Sequence, residues 1–194
     1  MSDSEEHSPE FTVVMEAEAM GTHLHRLAQE ITEANPDVAS LVMLGILRRG
    51  RPLAERLAGL VGEMTGITPP VGSLATTLYR DDVRGGLPAS KLRATTHFDF
   101  NVDGRTVVLV DDVLAAGRTI RAAMDEVMDY GRPRRIQLAC LVDRGGRELP
   151  IQADYLGWTI GTDPSEWILC RLCEVDGEDV VLLERRPARP EEDD

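Results

Sequence analysis

An α/β fold, a mostly parallel sheet flanked by helices, is what this sequence predicts, and three observations predict it. Apolar runs of strand length alternate with stretches of helical spacing. The runs "SLVMLGIL", "TVVLV" and "RIQLACLV" are apolar without interruption, as strands covered on both faces are. And "TVVLV" runs straight into Asp111 and Asp112, after which the side chains thin out to Gly117 before Arg118 and Thr119. Ligands of parallel sheets bind beyond the carboxyl ends of the strands, where this stretch falls.

The bulk numbers set the frame. A chain of 194 residues suits one domain with a real core. Residues 1–10 and the acidic tail 185–194 read as disordered segments around a single domain over 11–184. Apolar runs stay well short of the ~20 residues that span a bilayer. The start, "MSDSEEHSPE", is acidic where a secretory signal is basic and apolar. A cytoplasmic protein with no membrane partner is expected. Three cysteines, Cys140, Cys170 and Cys173, are too few for a disulfide framework. The net charge of −13 argues against a generic nucleic-acid binder but not against a local basic patch. Lys91 is the only lysine, so arginine carries the other positive charges.

Each element has its own signal. Met20, Leu24, Leu27 and Ile31 recur at helical spacing between Glu16 and Ala34, and Asn35-Pro36 stops that helix. "SLVMLGIL" reads as a buried strand ending near Leu47. Pro52 marks a helix start, with Leu53, Leu57, Leu60, Val61 and Met64 on one face. "GSLATTLYR" alternates like a strand. Residues 81–98 have few apolar anchors and read as a long mobile loop. "TVVLV" is the next buried strand; Ile120, Met124, Val127 and Met128 mark a helix closed by Gly131 and Pro133. "RIQLACLV" is another strand, and shorter ones are expected around Tyr155, at 167–173 and at 179–184.

The loop after Asp111 and Asp112 explains itself chemically. Gly117 permits torsions that other residues resist. A helix opening at Thr119 offers free N–H groups and a positive dipole end to an anion. Two carboxylates beside a phosphate repel it unless they grip hydroxyls or a metal ion. A sugar phosphate meets both demands. A Walker loop is excluded because no Gly-Lys-Ser/Thr follows the strand. A signal-receiver domain fits poorly, since it expects its acid pair after the first strand and a lysine near the end.

"VVLVDDVLAAGRT" resembles the phosphoribosyl pyrophosphate-binding motif of type I phosphoribosyltransferases. With "LGILRRGRPLAERLA", "TLYRDD", "LHRLAQEITEAN" and "AAMDEVMDYGRPRRIQLACLVDRGGRELPIQADYLG", the chain resembles the PyrR family over roughly residues 13–184. Members of that family regulate the pyrimidine operon and are uracil phosphoribosyltransferases. The resemblance implies a type I phosphoribosyltransferase fold with a small hood. It implies conversion of uracil and phosphoribosyl pyrophosphate (PRPP) to UMP and pyrophosphate, with Mg²⁺ bound alongside PRPP. Asp111 and Asp112 would hold the ribose hydroxyls, directly or through Mg²⁺. Val113, Leu114, Ala115, Ala116, Gly117, Arg118 and Thr119 would hold the 5′-phosphate. Arg48, Arg49 and Gly50 would meet pyrophosphate, and Arg80, Asp81 and Asp82 would close over it. Arg144, Gly145 and Gly146 would form the uracil pocket through backbone groups. A homo-oligomer, dimer or tetramer, is implied as well.

Three departures stand against the family pattern. Ala116 replaces the usual threonine before Gly-Arg-Thr, which removes one hydroxyl contact to the 5′-phosphate and weakens it. Gly146 replaces the histidine of "RGHRELP". The family binds a messenger stem-loop through a basic face, yet here the first helix offers Arg26 as its only firm cation, and "WTIGTDPSE" has none. Arg132, Arg134, Arg135, Arg144 and Arg147 remain for RNA. Two further readings therefore stay open: an RNA-binding attenuation regulator that uses the site as a nucleotide sensor, and a phosphoribosyltransferase for another base.

Overall fold

The computed structural model describes residues 10–76, 95–163 and 165–185. Arg80, Asp81 and Asp82, most of the expected loop at 81–98, and nearly all of both terminal segments lie outside them.

Five parallel strands form the main sheet in the order β3-β2-β4-β5-β6. They are β2 (Leu41–Ile46), β3 (Val71–Leu74), β4 (Thr106–Leu114), β5 (Arg135–Asp143) and β6 (Tyr155–Thr159). The helices are α1 (Ala17–Ala34), α2 (Gly50–Thr65), α3 (Arg118–Tyr130) and the short α4 (Cys173–Asp176). Alternate strand residues divide the core in two. Leu41, Met43, Val108, Val110, Ala139 and Leu141 pack with Met20, Leu24, Leu27 and Ile31 of α1 and Leu53, Leu57 and Val61 of α2. Val42, Leu44, Ile46, Val107, Leu109, Leu138 and Cys140 face the other way, onto Ile120, Ala123 and Val127 of α3. Both faces are covered, which is why the strands read as unbroken apolar runs. Met64 and Met128, placed on helix faces by spacing, are exposed.

A second sheet, β1-β8-β7, is antiparallel and forms the hood. It contains β1 (Glu10–Glu16), β7 (Glu166–Arg171) and β8 (Val180–Arg185). Strand β1 had no counterpart in the sequence reading, because Phe11 and Val13 are exposed and only Met15 turns inward. Glu10 and Arg185, assigned by sequence to the terminal tails, pair with each other at the end of this sheet. The strand expected over 72–80 is regular only to Leu74 among the described residues. His97 returns beside it, exchanging backbone hydrogen bonds with Ser73 at 2.9 Å each way.

The chain order creates a switch point. From β2 the chain passes through α2 to β3 on one side; β4 lies on the other side and leads through α3 to β5. A crevice opens where the carboxyl ends of β2 and β4 diverge.

Candidate active site

A cleft of about 220 Å³ occupies that crevice. Its floor comes from the ends of β2 and β4, and the hood supplies Trp167, Ile168, Leu169, Cys170 and Glu184 as its other wall. Asp111 and Asp112 both line it. They belong to β4 rather than to the loop after it, with Asp111 still in register with Cys140 of β5. Asp111 is buried, at 7% exposure, and accepts the Asp112 N–H at 3.1 Å. Asp112 is half-buried.

The expected phosphate segment divides into parts. Val113 and Leu114 continue β4, and the Leu114 side chain is buried in the core against α3. Parallel pairing with β5 runs as far as Leu114 and Asp143, which is why the strand extends past the acids. The turn proper is Ala115 to Gly117. Gly117, at φ 91°, caps α3, which opens at Arg118 and not at Thr119. Left-handed torsion costs glycine nothing, and it turns the first N–H groups of α3 toward the ligand side. Ala115 and Thr119 line the cleft, whereas Ala116 is buried and does not. Arg118 forms an ion pair with Glu148 on the outer surface.

Residues 144–151 brace this turn. The Arg144 N–H donates to Leu114 O at 3.0 Å, and the Glu148 and Leu149 N–H groups both donate to Ala116 O at 3.1 Å. Gly145 and Gly146, at φ 74° and 73°, carry the chain between them. Arg144 lines the cleft, with its guanidinium 5.0 Å from the centre of the Trp167 ring. Burial pushes its pKa down. Gly145 and Gly146 do not line the cleft in this structure.

On the opposite side, β2 passes through a cis Leu47–Arg48 peptide into Arg48, Arg49 and the start of α2. Both arginines line the cleft. Gly50 is required by contact: a Cβ there would stand 2.3 Å from Val110 O, so only glycine lets α2 begin against β4. Arg49 is already engaged. Its Nε and Nη2 donate to the two Asp176 carboxylate oxygens at 2.9 and 2.8 Å. This pairing holds the Asp176 carboxyl below its ordinary range and raises the Arg49 pKa, with Asp112 adding to the latter. Arg56, two turns along α2, holds Glu174 and Asp179 at 2.6 and 2.7 Å. Burial, and then the nearby Asp112, push the Cys170 thiol up, so it stays protonated.

The sequence reading did not find the hood contributors Trp167, Glu184 and Asp176. Their distance along the chain hid them, and the one available signal was the acid cluster "CEVDGED" opposite an arginine-rich α2. Two arginines assigned to an RNA face are spent elsewhere. Arg26 donates to the carbonyls of Leu156 and Gly157 at 2.9 and 2.6 Å, and Arg147 is hydrogen-bonded within the fold. Cys140 and Cys170 are buried and Cys173 is exposed, and all three are free.

Among the described residues no cluster of three or more His, Cys, Asp or Glu forms a metal cage. Two adjacent carboxylates at a cleft suit Mg²⁺, which takes one or two carboxylates and completes its shell from phosphate oxygens and water. No helix among the described residues is long and apolar enough to cross a membrane.

The comparisons with known proteins agree with this geometry. Residues 14–168 match the phosphoribosyl transferase domain family. The fold is shared with the hypoxanthine phosphoribosyltransferase of Trypanosoma cruzi at a TM-score of 0.68 and 16% identity, over 90% of this chain and 97% of that one. By class, then, the chain is a type I phosphoribosyltransferase. It is 51% identical to the bifunctional protein PyrR of Pelotomaculum thermopropionicum, over 88% of this chain and 94% of the relative. It is 47% identical to that of Streptomyces coelicolor over 98% of both chains, and 49% identical to that of Thermus thermophilus over 89% and 95%. The chain belongs to the PyrR family.

Proposed function

We propose that the chain transfers the phosphoribosyl group of PRPP to uracil, making UMP and pyrophosphate. The observation that carries this reading is that one cleft unites the Asp111–Asp112 pair, the amino end of α3 at Thr119, and Arg48 and Arg49. In the reaction the uracil N1–C1′ bond forms, the C1′–pyrophosphate bond breaks, and the N1 proton is released. Positive charge grows on the ribose ring and negative charge on the departing oxygens. Stabilisation must therefore be placed at both ends.

The 5′-phosphate fits the N–H groups from Ala115 to Thr119, where the helix dipole favours an anion. Asp112 and Asp111 fit the ribose hydroxyls and the developing cation. Arg48, with a planar fork that suits phosphate oxygens, fits the leaving pyrophosphate, and Arg49, whose Nε–Nη2 edge is held by Asp176, adds its charge and its Nη1 donors. Mg²⁺, held by Asp111 or Asp112 together with PRPP, would neutralise diphosphate charge. The base then faces Arg144 and the hood wall at Trp167. Incubation with PRPP, Mg²⁺ and labelled uracil should yield UMP and pyrophosphate in equal amounts; absence of UMP from folded protein would refute the reading.

A second role, UMP-responsive control of pyrimidine gene expression through an RNA hairpin, is supported by the word "bifunctional" in the names of relatives that match nearly the whole chain. With Arg26 and Arg147 engaged in the fold, this role would fall to Arg132, Arg134 and Arg135, exposed along the turn into β5 and at its start, so hairpin binding would be weak. A cytoplasmic homo-oligomer is the setting this reading implies.

A further inference from the structure

We infer that Arg147 is a positioning residue that makes the phosphate turn and the base loop respond as one unit. The inference deepens the phosphoribosyltransferase reading and rests on it.

Arg147 does not line the cleft, while Ala115 and Arg144 do. Its guanidinium instead spans two backbone carbonyls and one side-chain carboxylate. Nη1 donates to the carbonyl of Ala115, in the phosphate turn, at 2.8 Å. Nε donates to the carbonyl of Ile151, at the far end of the base loop, at 2.8 Å. Nη2 pairs with Oδ2 of Asp143, the last residue of β5. The other oxygen of Asp143, Oδ1, accepts the Gly145 N–H at 2.9 Å, so the same carboxylate also fixes the start of the base loop. Both side chains are mostly buried, at 23% and 18% exposure, which shields the pair from solvent screening.

The geometry requires arginine. Three donors leave one planar fork in three directions, and lysine cannot reproduce that pattern with a single ammonium. The Ala115 carbonyl takes a charged donor, which fixes the Ala115–Ala116 peptide plane within the turn proposed to hold the phosphate. A shift of the base loop at Ile151 or Asp143 therefore reaches Ala115 through one rigid group. Two loops ordered by the same strut share their ordering cost, so a ligand that settles one loop makes the other cheaper to settle.

The test uses ligands that occupy the two halves without reacting. Ribose 5-phosphate fills the sugar-phosphate half and has no leaving group; uracil fills the base half. Calorimetric titration of the full-length protein with ribose 5-phosphate, with and without saturating uracil, gives a coupling factor. For the unaltered protein the factor should be about 5- to 20-fold, within the usual range of site–site coupling. In Arg147→Gln it should fall to within twofold of unity, with each ligand still binding alone. In Arg147→Lys, which keeps the charge beside Asp143, it should stay below half the unaltered value. A merely structural arginine would lower thermal stability and leave the factor unchanged in whichever variant folds. An unaltered protein that binds both ligands with no coupling would overturn the inference. Failure of the unaltered protein to bind either ligand would instead refute the phosphoribosyltransferase reading.

Discussion

Arg49 and Asp176 form a two-bond ion pair that ties the start of α2, on one side of the cleft, to the hood, with N···O distances of 2.9 and 2.8 Å. Arg49 sits just before α2 and Asp176 closes α4, so residues 127 apart in sequence set one wall against the other. The Leu172 N–H also donates to Asp176, at 3.0 Å, which fixes the carboxylate before the arginine arrives. Asp176→Asn keeps the shape and removes the charge. It should raise KM for PRPP about 3- to 10-fold with little change in kcat, because Arg49 loses its aim but not its charge. Steady-state kinetics against PRPP at saturating uracil checks this; an unchanged KM would show that Arg49 needs no partner.

The hood junction should also be acid-sensitive. The carboxyls of Asp176, Glu174 and Asp179 are all held below their ordinary values of 3.8, 4.5 and 3.8, chiefly by hydrogen bonds from Arg49, Arg56 and Arg56 respectively. Depressed folded-state values mean the stabilisation is fully present above those ordinary values and drains away as pH falls through the folded ones. Trp167 fluorescence should hold steady down to about pH 4.5 and change below it. In Arg56→Gln the change should begin at higher pH. Identical titrations in the two proteins would contradict the account.

On the proposed reading the acid pair, which lines the cleft, serves the ligand more than the core. Asp111→Asn with Asp112→Asn should reduce turnover by at least about a hundredfold, the scale of losing preorganised charge at a developing cation. Circular dichroism should remain native, because neither side chain is an apolar core member. Near-normal turnover in the double variant would refute the role assigned to both.

Thr119 tests the phosphate site by itself. It lines the cleft in the first turn of α3, where a hydroxyl adds to backbone donors. Thr119→Ala should weaken ribose 5-phosphate binding by about 10- to 150-fold, since one hydrogen bond to a charged group contributes roughly 1.5–3 kcal/mol. Titration calorimetry reads it directly, and equal affinity would place the phosphate elsewhere.

Hairpin binding should be weak. The net charge is −13, and Arg26 and Arg147 are occupied by backbone carbonyls. A filter-binding titration with UMP at physiological salt should give a Kd no tighter than micromolar, the range of non-specific phosphate contact. A nanomolar Kd lost on changing Arg132, Arg134 and Arg135 to alanine would contradict this.

The main sheet was legible because its strands are buried on both faces. Period and length alone placed β2, β4 and β5, and the helices between them, within a few residues. The hood's first strand was not legible: "EFTVVME" leaves Phe11 and Val13 exposed, so no apolar run marks it. Asp111 and Asp112 could be found from sequence because two adjacent acids break an apolar strand near its carboxyl end, and Thr119, Arg48 and Arg49 because each follows a strand end within a few residues. The extension of β4 through Val113 and Leu114 was not legible, because local composition does not reveal that the strand outlasts the acids. Trp167 reaches the cleft, and Asp176 reaches Arg49, only through antiparallel pairing of β7 and β8, a contact no local pattern encodes. Arg147 looked like a surface cation because sequence shows charge but not the carbonyls around it.

The most direct test of the central claim is a kcat/KM comparison across uracil, hypoxanthine, guanine, adenine and orotate, each with PRPP and Mg²⁺. The account predicts uracil preferred by at least about a hundredfold, with that activity sharply reduced in Asp112→Asn. A purine or orotate used more efficiently than uracil, or near-normal uracil turnover after loss of Asp112, would contradict it.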